Sequence, residues 1–220
     1  MSGGSEERFP PQRAVIGPTA GGEVLVSVVA DVNLTRRQGS IRFVNPLPAG
    51  RASDPAPGSE VALRALDGSG RQIREAVPVP VGLASELEPG DDREGMVHTV
   101  LPLTSETRAI ELLVGGEIAS RVRVGGTLPA LRDVHRLDDD DPRALRVGLA
   151  LDGELEEHHT YAAQVSNDQG RTWQTVGVGL TEPVFAFDRS QLSPGDEVQV
   201  RVLATNGLAS AVVSTGTLRV

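Results

Sequence analysis

Apolar and polar residues alternate along most of this chain, in short segments separated by clusters of glycine, proline, asparagine, aspartate and serine. In Glu60–Leu66, for example, Val61 and Leu63 fall on one face of an extended segment and Arg64 falls on the other. A period of two predicts strands that bury one face. No stretch approaches the roughly 18 consecutive apolar residues of a membrane-spanning helix. The pattern therefore predicts an all-β fold without membrane insertion.

The first half contains seven segments with this alternation. Asp67–Gly70 (DGSG) and Gly115–Gly116 are typical of tight turns between antiparallel strands. Pro78 and Pro80 place the end of one strand at a sheet edge, because proline cannot donate a ladder hydrogen bond. The predicted strands are Glu23–Asn33, Ile41–Val44, Glu60–Leu66, Arg71–Val81, Val97–Leu103, Ala109–Val114 and Ile118–Val124.

One segment of this half is ambiguous. Ser105–Val114 (SETRAIELLV) fits a helix that begins with Ser105 as its N-cap, and it also fits the first strand of a hairpin. The short distance to the Gly115–Gly116 turn favours the hairpin.

The second half contains seven further segments in about 95 residues, with turn signals at fairly regular intervals, which is typical of a β-sandwich. They are Ala130–Val134, Ala144–Leu151, Tyr161–Ser166, Thr172–Val178, Val184–Asp188, Glu197–Ala204 and Ala211–Val220. Gly125–Pro129 (GGTLP) resembles a short linker before them. The sequence thus predicts a flexible lead over 1–22, a β-sandwich over 23–125 and a second β-sandwich over 126–220: two tandem antiparallel β-sandwich domains.

Composition excludes several classes of function. The 220 residues include 30 acidic and 21 basic residues, all 21 of them arginine, for a net charge of −9, and no cysteine. Without cysteine there is no disulfide framework, thiolate metal cage or cysteine nucleophile. The acidic balance argues against binding to the phosphate backbone of nucleic acid.

The stretch from Leu192 to Gly207 (LSPGDEVQVRVLATNG) resembles the corner and sixth strand of fibronectin type III domains, where L-x-P-G-x-x-Y-x-V-R-V-x-A-x-N-G is common. Val198 stands at the position of the family's corner tyrosine, so the match is to a divergent member. Tyr161 fits the pattern that opens the third strand. The resemblance implies an immunoglobulin-like or fibronectin type III-like sandwich for the second half.

A second motif lies in the same half. Ser166–Trp173 (SNDQGRTW) matches the Asp-box pattern S-x-D-x-G-x-T-W of sialidase-type propellers at every fixed position. We expect Asp168 to accept hydrogen bonds from turn N–H groups, Gly170 to be left-handed and Trp173 to cover the base of the hairpin. A propeller needs repeats of this motif, and the sequence contains none. The motif is therefore interpreted as a structural turn.

The first half has a resemblance of pattern. The run EVALRALDGSGR from Glu60, followed by HTVLPL from His98 and ELLVGGE from Glu111, resembles the β-sandwich that precedes such domains in large secreted bacterial proteins, including some metallopeptidases. The resemblance implies a chain that lacks the catalytic part of such proteins.

Candidate binding residues gather at the two ends of the predicted second sandwich. Its loops alternate between the ends, so His158, His159 and Asn206 share one end and form the candidate binding surface. Adjacent histidines in a strand or tight loop point apart, which disfavours a joint metal site.

The opposite end of this sandwich is acidic. Oxygen ligands suit Ca²⁺, which takes six to eight of them. A calcium site is one interpretation, and a solvated acidic surface without any cofactor is the other. The candidate ligands are Asp138, Asp139, Asp140, Asp141, Asp168 and Asp196.

No nucleophile elbow, P-loop, dinucleotide-binding glycine motif or zinc-protease motif occurs. The sequence thus favours a non-catalytic accessory, spacer or protein-interaction module of a larger exported bacterial protein, whose partner is a protein or a neighbouring domain. Two alternatives stay open: a carbohydrate-binding module, with or without calcium, and an enzyme with an unrecognised site. The segment Met1–Phe9 lacks the apolar core of a signal peptide, so a cytoplasmic location stays open beside an extracellular or cell-surface one.

Overall fold

The structure, a computed structural model, describes residues 14–16, 22–83, 91–128, 130–137, 143–152, 159–188, 197–215 and 217–219. Within these ranges the chain forms seventeen β-strands and no helix, which confirms the all-β prediction. The described part of the chain accordingly offers no long apolar helix of the kind that crosses a membrane.

The first sandwich consists of two four-stranded antiparallel sheets. Its strands are β2 (Glu23–Asn33), β3 (Gln38–Pro46), β4 (Val61–Leu66), β5 (Val77–Pro78), β6 (Gly82–Leu83), β7 (Glu94–Thr104), β8 (Ala109–Val114) and β9 (Glu117–Arg123). The sheet orders are β3-β2-β7-β6 and β5-β4-β8-β9. Pro78 lies in the edge strand β5, where its missing N–H breaks no ladder.

The core of this sandwich follows from the period-two pattern. From the sheet β5-β4-β8-β9, strand β8 contributes Ile110, Leu112 and Val114 to this core. Each fully buried side chain of this size contributes roughly 1.5–3 kcal/mol. Strand β2 buries every second residue, namely Val24, Val26, Val28, Ala30 and Val32.

The second sandwich pairs a three-stranded sheet with a larger one. Its strands are β10 (Ala130–Leu137), β11 (Ala144–Asp152), β12 (Thr160–Ser166), β13 (Gln174–Leu180), β14 (Val184–Asp188), β15 (Glu197–Thr205), β16 (Ser210–Ser214) and β17 (Leu218–Arg219). One sheet has the order β10-β11-β14, and the other contains β16-β15-β12-β13 with β17 beside the start of β15. These two antiparallel sheets confirm the immunoglobulin-like or fibronectin type III-like sandwich that the sequence predicted.

The core of the second sandwich is richer in aromatic residues. Tyr161 is fully buried and meets Phe185 edge to face, with ring centroids 6.0 Å apart. Burial raises the pKa of Tyr161 to about 12. Val198, at the position of the family's corner tyrosine, is also completely buried. The Val198 side chain therefore makes apolar contacts at a position where a tyrosine would place a hydroxyl group.

A short strand in the predicted lead corrects part of the sequence analysis. Residues 1–22 were expected to lie outside both sandwiches, but Ala14–Ile16 form strand β1 and pair antiparallel with β16. Ala14 lies opposite Val212, and Ile16 lies opposite Ser210. Without β1, strand β16 would be a sheet edge with unpaired backbone groups, and an added strand satisfies them. The chain thus runs along the second sandwich before it enters the first.

The ambiguous segment after Ser105 is a strand, so the helical alternative is wrong. Strand β8 begins at Ala109 and pairs with both β4 and β9. Gly115 and Gly116 have φ values of 58° and 83°, in the left-handed region that favours glycine. This tight turn sends the chain straight back along β8, which a helix could not do in so few residues.

Two predicted strands are shorter or divided in the structure. In the segment predicted over Arg71–Val81, only Val77–Pro78 form a strand, and Gln72 makes an isolated bridge to Leu66. The segment predicted over Ala211–Val220 is divided between β16 and β17. At the division, the hydroxyl of Thr215 accepts a hydrogen bond from the Val200 N–H, so a side chain replaces a ladder bond.

Truncation of a core side chain on β8 tests this packing. We expect Leu112→Ala, at a fully buried position, to lower the free energy of unfolding by about 2–5 kcal/mol. The matched control Leu83→Ala alters the same residue type where it is 40% exposed, and we expect a cost of no more than about 1 kcal/mol. Chemical denaturation measures both, and equal losses would contradict the core described here.

Candidate functional site

The predicted binding residue His159 lies against the linker between the two sandwiches. Its side chain is buried, and Nε2 hydrogen-bonds to the carbonyl oxygen of Thr127 at 2.8 Å. His158 lies outside the described residues. His159 therefore supports the connection between the sandwiches from the second one.

Asn206 is buried at the same place, and its side chain binds backbone groups on both sides. Its Nδ2 donates to the carbonyl oxygen of Gly126 at 3.0 Å. Its Oδ1 accepts from the N–H groups of Leu208 and Ala209 at 3.0 and 2.8 Å. Its own carbonyl oxygen accepts from the N–H of Gly125 at 2.8 Å. One asparagine thus holds the β15–β16 turn and joins it to the linker.

These positions correct the expected location of the candidate binding surface. The sequence analysis placed His159 and Asn206 on an exposed end of the second sandwich, but only 5% and 3% of these residues is exposed. The reason is that the first sandwich covers this end. The region of contact, which we call the junction, comprises residues 42–44 and 122–127 of the first sandwich and linker, and residues 159–160, 179 and 205–208 of the second sandwich.

Apolar and polar contacts combine at the junction. Leu208, from the second sandwich, is buried in the core of the first sandwich together with Val44 and Val124. The hydroxyl of Thr205 donates to the carbonyl oxygen of Val44 at 3.2 Å, and it also accepts from the Gly207 N–H at 2.9 Å. The side chain that anchors the turn is therefore the one that binds the first sandwich.

Two glycines allow the backbones of the two sandwiches to approach closely. Gly207 has φ of 85°, and a Cβ atom there would lie 2.6 Å from Cγ1 of Val124. Gly179 has φ of 66°, and a Cβ atom there would lie 2.5 Å from the carbonyl oxygen of Arg42. Any larger residue would therefore push the sandwiches apart at both points.

Asp168 organises the turn between β12 and β13. Its Oδ1 accepts from the Thr172 N–H at 2.9 Å and from the Ser166 hydroxyl at 2.8 Å, and its Oδ2 accepts from the Thr172 hydroxyl at 2.6 Å. The hydrogen bonds from Thr172 and Ser166 lower the pKa of Asp168 to about 2. Gly170 has φ of 82°, as predicted. These contacts are internal to the turn.

Trp173 closes the base of the same turn. Its indole N–H donates to the carbonyl oxygen of Gly170 at 3.0 Å, and the guanidinium of Arg201 lies 4.2 Å from its ring centroid. Arg201 is held in place by its Nε, which donates to Oε1 of Gln164 at 2.7 Å. One face of the indole is therefore occupied by a cation–π contact.

The acidic end stays a prediction. Asp138, Asp139, Asp140, Asp141 and Asp196 lie outside the described residues, and Asp168 is the one candidate ligand that the structure describes. Across the described ranges, no three histidine or acidic side chains converge in an arrangement that could hold a metal ion.

Comparison with known proteins gives a distant likeness of fold. No family model and no curated protein sequence matches the chain. Among solved structures, it is similar to a crystal structure of the FN1–FN3 domains of chicken CNTN1, at 15% sequence identity and a TM-score of 0.31. The match covers 94% of this chain and 66% of that chain, slightly less than two thirds.

Several residues of the junction were absent from the predicted site. Thr205 comes directly before Asn206, and Gly207 and Leu208 come directly after it. The sequence predicts only a turn at this point. Nothing in the alternation of β15 and β16 indicates that this turn inserts into another core. The sequence did not indicate that Gly179 lies at the junction either, because a glycine in a strand is equally consistent with a β-bulge.

The pKa of Asp168 makes a prediction about pH. Because the folded-state pKa of Asp168, about 2, is below the ordinary aspartate pKa of 3.8, the ionised carboxylate stabilises the fold above pH 3.8, and this contribution is lost as the pH falls towards 2. We expect Asp168→Asn to lower stability at neutral pH and to flatten its decline between these values. Thermal unfolding across this range measures the effect.

Asn167→Ala is the control for this experiment, because it alters an exposed residue of the same turn. It should keep the pH dependence of the parent chain. An Asp168→Asn variant whose pH dependence equals that of the parent would show that the carboxylate makes no such contribution.

Proposed function

We propose that this chain is a non-catalytic tandem module that holds its first sandwich in a fixed orientation on its second and presents surfaces for contact with proteins. The observation that carries this proposal is the junction, where Leu208 enters the first core and Asn206 bonds to the linker. A flexible pair of domains needs neither contact.

The topology supports a fixed orientation as well. The chain passes between the sandwiches twice, once from β1 to β2 and once from β9 to β10. A hinge about one linker is restricted by the second connection as long as β1 stays paired with β16. Two covalent connections and one packed interface together oppose rotation.

The first and last of the described strands, β1 and β17, both pair with strands of the second sandwich. Strand β17 pairs with the start of β15 through Leu218 and Val198, at the end of the sandwich away from the junction. Strand β1 runs from that direction towards the junction. A fixed orientation of the two sandwiches suits a spacer or accessory module in a larger exported bacterial protein, the context that the pattern of the first half resembles.

The carbohydrate-binding alternative receives less support. Sugar binding by stacking needs an open aromatic face, and Arg201 covers one face of Trp173, the chain's single tryptophan. The single tyrosine, Tyr161, is fully buried in the second core.

A matched pair of glycine variants tests the junction. Gly207 and Gly116 have nearly equal φ values of 85° and 83°, so alanine at either position incurs a similar backbone strain. An added Cβ meets Val124 at Gly207 and nothing within 4 Å at Gly116. We expect Gly207→Ala to be less stable than Gly116→Ala by at least about 1 kcal/mol.

Residual dipolar couplings provide the second measurement on these variants. Gly207→Ala should change the relative orientation of the two sandwiches, and Gly116→Ala should preserve it. If both variants lose the same stability and keep the same orientation, the junction does not hold the sandwiches together, and the proposal is wrong.

A further inference from the structure

An open groove of about 690 Å³ lies on the first sandwich beside the junction. Four of the residues that line it, Gly68, Ala109, Gly125 and Gly126, have little or no side chain. Three exposed arginines, Arg108, Arg121 and Arg123, also line the groove and form its charged rim.

Strand register brings two of the arginines onto the same face. Arg121 lies opposite Glu111, and Arg123 lies opposite Ala109, across the β8–β9 pair. Because Ile110 and Leu112 point into the core, Glu111 and Ala109 point away from it. Ala109 has only a methyl group, so the space beside Arg123 stays open.

Arg108 is the third arginine of the cationic rim. One of its terminal nitrogens, Nη1, donates to the carbonyl oxygens of Ser105 and Thr107 at 2.6 and 2.9 Å. These bonds hold the guanidinium in place without neutralising its charge. Among the described residues, no carboxylate lies within ion-pair distance of Arg108 or Arg123.

Two carboxylates close to these arginines are already compensated. Asp67 accepts hydrogen bonds from Ser69 and from Arg71, which lower its pKa to about 2, and it forms an ion pair with Arg71 at 3.1 Å. Buried Glu111 accepts from Nε of Arg64 at 2.8 Å, and it also forms a longer ion pair with Arg121, whose Nε lies 3.8 Å from Oε1. The groove is therefore cationic on a chain whose net charge is −9.

The spacing of the arginines indicates the shape of a ligand. Alternate residues of a strand have Cα atoms about 6.6–6.8 Å apart, so the Arg121 and Arg123 side chains leave the strand at this interval on the same face. Carboxylates on alternate residues of an extended peptide have the same interval. Each guanidinium can bind a carboxylate through two parallel hydrogen bonds.

We propose that this groove binds an extended acidic segment of a partner protein, with carboxylates at alternate positions that pair with Arg121 and Arg123 and a further one that pairs with Arg108. A short acidic segment contacts only the cationic groove, whereas a long polyanion such as a nucleic acid meets the repulsive field of the whole acidic chain. This inference rests on the proposed interaction role and names the chemistry of the partner.

The test uses the full chain and a fluorescent seven-residue peptide in which glutamate alternates with threonine. Anisotropy at about 50 mM salt should show binding that weakens as the salt rises, because exposed ion pairs are screened. We expect the double variant Arg121→Gln and Arg123→Gln to weaken binding about ten-fold or more, since two charge-assisted pairs are lost. Arg108→Gln should weaken it less.

Arg51→Gln is the control, because Arg51 is an exposed arginine that is absent from the groove lining. It should bind the peptide as the parent does. A second peptide, with the same number of glutamates placed consecutively, should bind more weakly, and inorganic sulfate at equal concentration should not displace the alternating peptide.

Three results would overturn the proposal: no binding by the parent chain, equal weakening by Arg51→Gln and the double variant, or equal affinity for the two peptides. Single-stranded DNA that binds as tightly as the peptide would also overturn it. Failure here is distinguishable from failure of the rigid module, because Gly207→Ala tests the junction and leaves all three arginines in place.

Discussion

The turn that contains Asn206 and Gly207 is the constraint on which the arrangement of the whole chain depends. A single asparagine satisfies the N–H groups of its own turn and bonds to the linker at Gly126. The next residue has no side chain, so the turn can press against Val124, and Leu208 then enters the neighbouring core. Polar satisfaction, close backbone approach and apolar burial thus occur within three consecutive residues.

The junction determines which outer surfaces of the two sandwiches the chain presents together. Each sandwich has its own hydrophobic core, and Leu208 links the second sandwich to the core of the first. Joined at the turn, they present a fixed set of outer surfaces, including the groove rimmed by Arg108, Arg121 and Arg123. Gly125 lines this groove and also bonds to Asn206, so the junction helps to define the shape of the groove.

The sequence predicted the longer strands well because most of them alternate over several residues, and β2 and β14 have the predicted bounds. Strands β1 and β6 were missed because segments of three and two residues carry too little periodicity to recognise. Asn206 was singled out correctly as an unusual turn residue, but its surroundings were wrong, since no local pattern shows what covers a loop. The arginine groove was missed because its members converge only through strand register.

The most direct test of the account is a distance between the two sandwiches. The chain has no cysteine, so spin labels can be attached at Ile118→Cys on β9 and Ala186→Cys on β14 without background, and both positions are exposed. Pulsed electron paramagnetic resonance should give one narrow distance distribution, because the junction fixes one orientation. A broad distribution, in a doubly labelled chain that is otherwise folded, would show that the sandwiches move independently and would contradict the account.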